Sequence, residues 1–128
     1  MPIYRLYLSR LKKLHDRFNG KHFGNELGAC LFAVNPKWTS TQAEIEFLPH
    51  KRSWRYLATF SLALLKEGTA SSIRRCLLHE MIHQWQHQNS ESMDHGAEFN
   101  RKARELRIEP SASATVSKKS ARSQGTPR

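Results

Sequence analysis

The stretch LLHEMIHQWQHQ, residues 77 to 88, sets His79, His83 and His87 four residues apart, with Glu80 directly after the first. On a helix, His79 and His83 stand one turn apart, about 6 Å along the axis, and project from one face. Two imidazoles so placed can grip one Zn2+ at about 2.0 to 2.1 Å each. Glu80 then points toward the side where a water would sit, and a carboxylate there can take the water's proton and hand it to a leaving amine. His87 does not fit the same ion, because eight residues of helix separate it from His79 by about 12 Å. Its expected places are the helix C-terminus, where a partly protonated imidazole suits the dipole, or the rim of the cleft.

A catalytic zinc needs a third protein ligand. The spacing HExxHxxGxxH does not supply it, since Gln86 stands at the glycine position and Asn89 at that of the third histidine. A glutamate from a following helix would be Glu98 or Glu105. The better candidate is His95 in DHGAEF, at a helix start after a connection long enough to reverse the chain. Gly96 beside it would allow the backbone to come close. Glu91, Asp94 or Glu98 would then hold an imidazole N–H.

The rest of the chain has to position these groups. Residues 3 to 19 repeat Tyr4, Tyr7, Leu8, Leu11, Leu14 and Phe18 at steps of three and four, which predicts an amphipathic helix. Asn19-Gly20 is its expected stop. Three short strands are expected over 27 to 34, 43 to 48 and about 56 to 62, although LATFSLALLKEG reads equally well as the start of a helix. Thr69, Ser71 or Ser72 can cap a helix running to about residue 88. Trp85 on it is expected in the core, with the cleft wall as its second place. A last helix begins near His95 and buries Phe99, Ala103 and Leu106. Residues 1 to 109 make one expected domain, of α+β class. Residues 110 to 128, rich in Ser and base, make an expected disordered basic tail.

The net charge is +10, of which the tail after Pro110 carries four basic residues and no acid. Such an excess favours polyanions, so DNA is a partner that the basic surface and tail would serve, alongside a protein or peptide substrate. Cys30 and Cys76 are too far apart for a CxxC pair and too few for a disulfide framework, which makes them small core hydrophobes. His15, His22 and His50 lack partners at metal spacing and are expected as packing or surface residues. With no apolar run near the roughly 18 residues of a membrane span, no membrane partner is expected, and the expected setting is cytoplasmic, or nucleoid or nuclear if the protein associates with DNA.

LLHEMIHQWQ followed by DHGAEFNRKA resembles the SprT-like metallopeptidases, which include the Spartan proteases. Their motif is HExxH followed, after a variable loop, by His-Gly-x-x-Phe. LHDRFNGKHFGNEL is similar to the segment in which that family runs from an aromatic, Asn-rich helix end into a Phe-Gly-x-x-Leu turn. The resemblance implies zinc held by His79, His83 and His95, with Glu80 as catalytic base. It also implies a zincin-like fold: an N-terminal helix, a small, mostly antiparallel three-stranded sheet whose edge strand pairs with substrate, an active-site helix and a C-terminal helix. The implied activity is zinc-dependent endopeptidase action, in the Spartan branch on proteins attached to DNA. Many members carry a C-terminal zinc ribbon; no cysteine follows Cys76 here, so a minimal core is expected. Beside the same enzyme with a glutamate as third ligand, two rival readings share the same residues. One is a nucleic-acid-binding module whose structural zinc is closed by a fourth ligand such as His87 or Asp94; the other is a peptidase-like adaptor that binds without cutting.

Overall fold

The computed structural model describes residues 2–51, 53–89 and 94–108. Helix α1 (Pro2–His22) forms on the predicted apolar stripe, with Leu11, His15 and Phe18 buried and Tyr7 and Leu14 partly so. It continues past the expected Asn19-Gly20 stop. The Asn19 side chain is already engaged, donating from Nδ2 to the Leu27 carbonyl and accepting from the Leu27 N–H, both at 3.0 Å. The reversal falls instead at Gly24 and Asn25, each with φ of 61°. The same amide explains why the first strand starts late. Leu27 is held by Asn19, and the Gly28 N–H donates to Gln88 Oε1 at 2.7 Å, so β1 comprises only Cys30–Asn35.

Strands β2 (Ala43–His50) and β3 (Ser53–Ser61) form an antiparallel hairpin that turns through Lys51, at φ of 56°. The order across the sheet is β1-β3-β2, and β1 pairs with β3 in parallel. The sheet is therefore mixed, where mostly antiparallel pairing was expected. The hairpin folds β3 back between β1 and β2, so β1 and β2, which run in opposite directions, are not neighbours. Alternating residues report which face a strand buries, but not which neighbour it takes.

The ambiguous LATFSLALLKEG segment is both strand and helix, divided at Ser61. There the backbone is still extended, and Ser61 Oγ accepts the Leu64 N–H at 3.0 Å, capping the short helix α2 (Leu62–Glu67). Gly68 follows because a Cβ at this position would stand 2.5 Å from the Leu64 carbonyl oxygen. Of the three expected caps, Thr69 is the one that caps α3 (Ala70–Gln88), accepting the Ser72 N–H at 3.0 Å. Helix α3 is buried without interruption from Cys76 to Gln84 and lies against β2, α1 and α4 (Ala97–Glu105). A helix enclosed on every side can carry polar groups only if each finds a partner. Helix α4 buries Phe99 and Ala103, with Leu106 just beyond it, as its periodicity predicts. No described helix is long and apolar enough to cross a membrane. The expected basic tail and Pro110 lie outside the described residues.

Candidate metal centre

One turn of α3 and the start of α4 bring three imidazoles together. His79 and His83 project from α3, and His95 reaches them from the residues just before α4. His95 Nε2 lies 3.2 Å from His79 Nε2 and 3.2 Å from His83 Nε2. Ligands at about 2.0 to 2.1 Å from a tetrahedral ion are separated by roughly 3.3 to 3.4 Å, so the spacing suits one zinc-sized cation. One nitrogen with at most one proton cannot donate to both neighbours, whereas a single cation satisfies all three lone pairs. The Phe99 ring forms the floor, with its centroid 4.7 to 4.9 Å from those of the three imidazoles.

Burial pushes the His79 pKa well below the ordinary imidazole value, and the neighbouring His83 and His95 push it the same way. Burial also lowers His95, against a smaller opposing pull from the Asp94 carboxylate. Rings held neutral keep the lone pairs that a metal requires. Among the described residues, neither His87 nor Asp94 joins the group able to hold an ion.

Glu80 is buried on α3 directly after His79. Its negative charge is felt by both cysteines. Burial first, with Glu80 adding, pushes the Cys30 and Cys76 thiols up to about 12. Thiols so hard to ionise suit the packing role expected of them. His15 is likewise a packing residue, buried and 2.9 Å from Gln84 Oε1.

The C-terminus of α3 is capped by Asn89, whose N–H and side-chain amide both reach the Trp85 carbonyl, at 3.1 and 2.8 Å. Of the two places expected of His87, the helix cap and the rim of the cleft, the cap is taken by Asn89. His87 stacks on Phe47 at 4.1 Å, meets Trp54 edge-on at 4.8 Å, and lies 2.8 Å from the Tyr56 hydroxyl. Burial lowers its pKa, which opposes the charged form a dipole cap would use. Trp85 is half-buried beneath α4, with Lys102 Nζ 5.5 Å and Arg101 Cζ 5.9 Å from its ring centre. Asp94 Oδ1 accepts the Gly96 N–H at 3.1 Å, so its carboxylate shapes its own turn. A Cβ on Gly96 would come within 3.3 Å of that oxygen. Glu98 and Glu105 stand in exposed ion pairs with Arg101, at 2.8 and 2.9 Å. Glu91 lies outside the described residues.

The partner that sequence reasoning missed is Gln86. It is fully buried, its Oε1 lies 2.8 Å from His83 Nδ1, and its Nε2 donates to the Asp94 carbonyl at 3.1 Å. Its only sequence signal was its position where another zinc motif has glycine.

Residues 11–119 match the SprT-like family. The chain belongs to the SprT-like family. This membership makes the α+β arrangement of N-terminal helix, three-stranded sheet and further helices a zincin-like fold, and it suggests a metallopeptidase acting on protein. Comparison with individually curated proteins gives no match. In this SprT-like protein the three histidines that the family motif pointed to are the ones that converge.

Proposed function

We propose that this SprT-like protein is a zinc-dependent endopeptidase in which His79, His83 and His95 hold the metal and Glu80 is the general base. The observation that carries this reading is the convergence of three imidazoles, with His95 Nε2 3.2 Å from the Nε2 atoms of both His79 and His83, next to a buried carboxylate on α3. Zinc in such a site polarises a peptide carbonyl and acidifies a water. Glu80 accepts the proton of the attacking water and returns it to the departing amine. Phe99, packed against all three imidazoles, would help hold the rings in place for a metal. Strand β2, at the sheet edge and against α3, is the element along which an extended substrate backbone would pair.

Charge placement favours substrates bound to nucleic acid. Helix α1 carries six basic residues and one acid, while residues 23 to 110 carry 11 basic and 10 acidic residues. The excess charge of the folded part therefore sits almost wholly on one helix. Arg10, Lys13 and Arg17 line a groove of about 340 Å3 along it with Leu6, Ser9 and Leu14. Basic groups at that spacing suit a phosphate backbone, with affinity that falls steeply as salt rises.

The decisive experiment measures metal content, and cleavage of basic DNA-binding proteins with and without DNA, for wild type and Glu80→Gln. The expected result is about one zinc per chain in both proteins, with turnover in the wild type alone. Absence of zinc from the wild type overturns the reading. Zinc in both proteins with turnover in neither would leave a binding role in its place.

A further inference from the structure

We infer that Gln86 is a positioning residue for the metal: its one side-chain amide sets the tautomer of His83 and ties that ring to the loop that delivers His95. The inference rests on the zinc reading above.

A single backbone group decides the orientation of the whole chain of contacts. The Asp94 carbonyl can only accept, so the Gln86 group facing it at 3.1 Å is the amide nitrogen. Gln86 Oε1 must then face His83 Nδ1 at 2.8 Å, and a carbonyl oxygen there requires a hydrogen on Nδ1. In the neutral ring this leaves Nε2 as the bare nitrogen, and Nε2 is the atom 3.2 Å from His95. The opposite amide orientation would press two carbonyl oxygens together. It would also move the imidazole proton to Nε2, into the space where the three rings converge. Gln86 is 1% exposed, so no bulk water can stand in for either partner.

The same amide thus serves two ligands from different elements. His83 is held through its own ring, and His95 through the carbonyl of the residue before it. Hydrogen bonds of this kind orient a metal-bound imidazole and raise its basicity, and their loss typically weakens metal binding 10- to 100-fold. A carbonyl oxygen suits the task because it fixes a proton without adding charge.

The test uses the full chain and two readouts, neither of which depends on proteolysis. Long-range proton–nitrogen NMR of histidine-labelled, metal-free wild type should show His83 protonated at Nδ1; a proton on Nε2 overturns the inference. Zinc affinity by chelator competition should fall about 10- to 100-fold in Gln86→Leu. Part of it should return in Gln86→Glu, which keeps an acceptor for Nδ1–H but sets a second oxygen against the Asp94 carbonyl. Wild-type zinc affinity in a folded Gln86→Leu overturns the proposal, as does a Gln86→Glu protein that binds no better than Gln86→Leu. Should the leucine variant fail to fold, the wild-type tautomer still decides. Gln84→Leu, from the other side of α3, should lose stability while leaving the His83 tautomer and zinc affinity unchanged. A wild type that binds zinc with the stated tautomer but cuts nothing would remove the peptidase reading and leave this one standing.

Discussion

Helix α3 joins a glutamine to a histidine on each of two sides, and the pairs do different work. On one side Gln86 Oε1 meets His83 Nδ1 at 2.8 Å; on the other Gln84 Oε1 meets Nε2 of His15, from α1, at 2.9 Å. Both amides are oriented by a backbone carbonyl, that of Asp94 for Gln86 and that of Gly28 for Gln84. Both histidines are buried. The difference lies in what surrounds the ring. His83 has the imidazoles of His79 and His95 beside it, with ring centroids 5.0 and 4.9 Å away. His15 has the edge of Phe32 at 5.8 Å. A buried histidine is therefore not a ligand by virtue of burial or of a glutamine partner. Convergence of several lone pairs separates a metal site from a satisfied core histidine.

Removing one imidazole should break this contrast most sharply. His83→Ala should lose stoichiometric zinc, whereas His15→Ala should keep about one ion per chain, by elemental analysis of the purified proteins. Retention of zinc by the first variant would contradict the assignment. Next in size is the floor of the site. Phe99→Ala empties a fully buried position and should lower unfolding free energy by about 3 to 5 kcal/mol in urea titration.

The ion itself should be visible as stability. Zinc at about 100 times its dissociation constant should add about 2.7 kcal/mol, and a chelator should remove it. The same increment should persist in His15→Gln, whose amide can still donate to Gln84. If that increment vanished with the His15 change, the two sides of α3 would not be independent.

A smaller effect follows from pH. Burial lowers the His15 pKa, with the Gln84 hydrogen bond pulling the other way. The unfolded chain therefore binds a proton at a pH where the folded protein does not. The stability from the neutral ring is fully present above the unfolded value of about 6.5 and is lost as pH falls from there toward the folded pKa. Metal-free wild type should thus weaken between about pH 7.5 and about pH 5.5 by at most about 1.4 kcal/mol per pH unit from this group. The slope should be shallower in His15→Gln, and equal slopes would count against the assignment. Smallest of all, Asp16→Asn breaks an exposed 3.8 Å pair with Lys12 on α1 and should change stability by less than about 0.5 kcal/mol.

Much of the site was legible in the residues themselves. Helical spacing alone divides His79 and His83 from His87, because the separation along a helix depends only on residue count. The helices were visible as periodic apolar stripes, and Thr69 as one of three candidate caps, since both are local patterns. What failed was non-local. Asn19 looked like a helix stop, but its amide is bound to Leu27, eight residues on. His87 looked suited to the helix dipole, but Phe47, Trp54 and Tyr56 of the hairpin enclose it. Gln86 showed only that it stands where another zinc motif has glycine, because its role depends on a carbonyl eight residues away.

By itself, then, the order of residues determined that two histidines and a glutamate share a helix, that a third histidine follows within reach, and that positive charge is concentrated at the start and end of the chain. Only the tertiary structure decided that β3 inserts between β1 and β2, that Glu98 and Glu105 turn to Arg101 while His95 turns to the cluster, and that one buried amide joins His83 to the loop before α4. Periodicity is a property of one segment. Which lone pair meets which proton depends on two segments brought together, and no single stretch of sequence carries that distance.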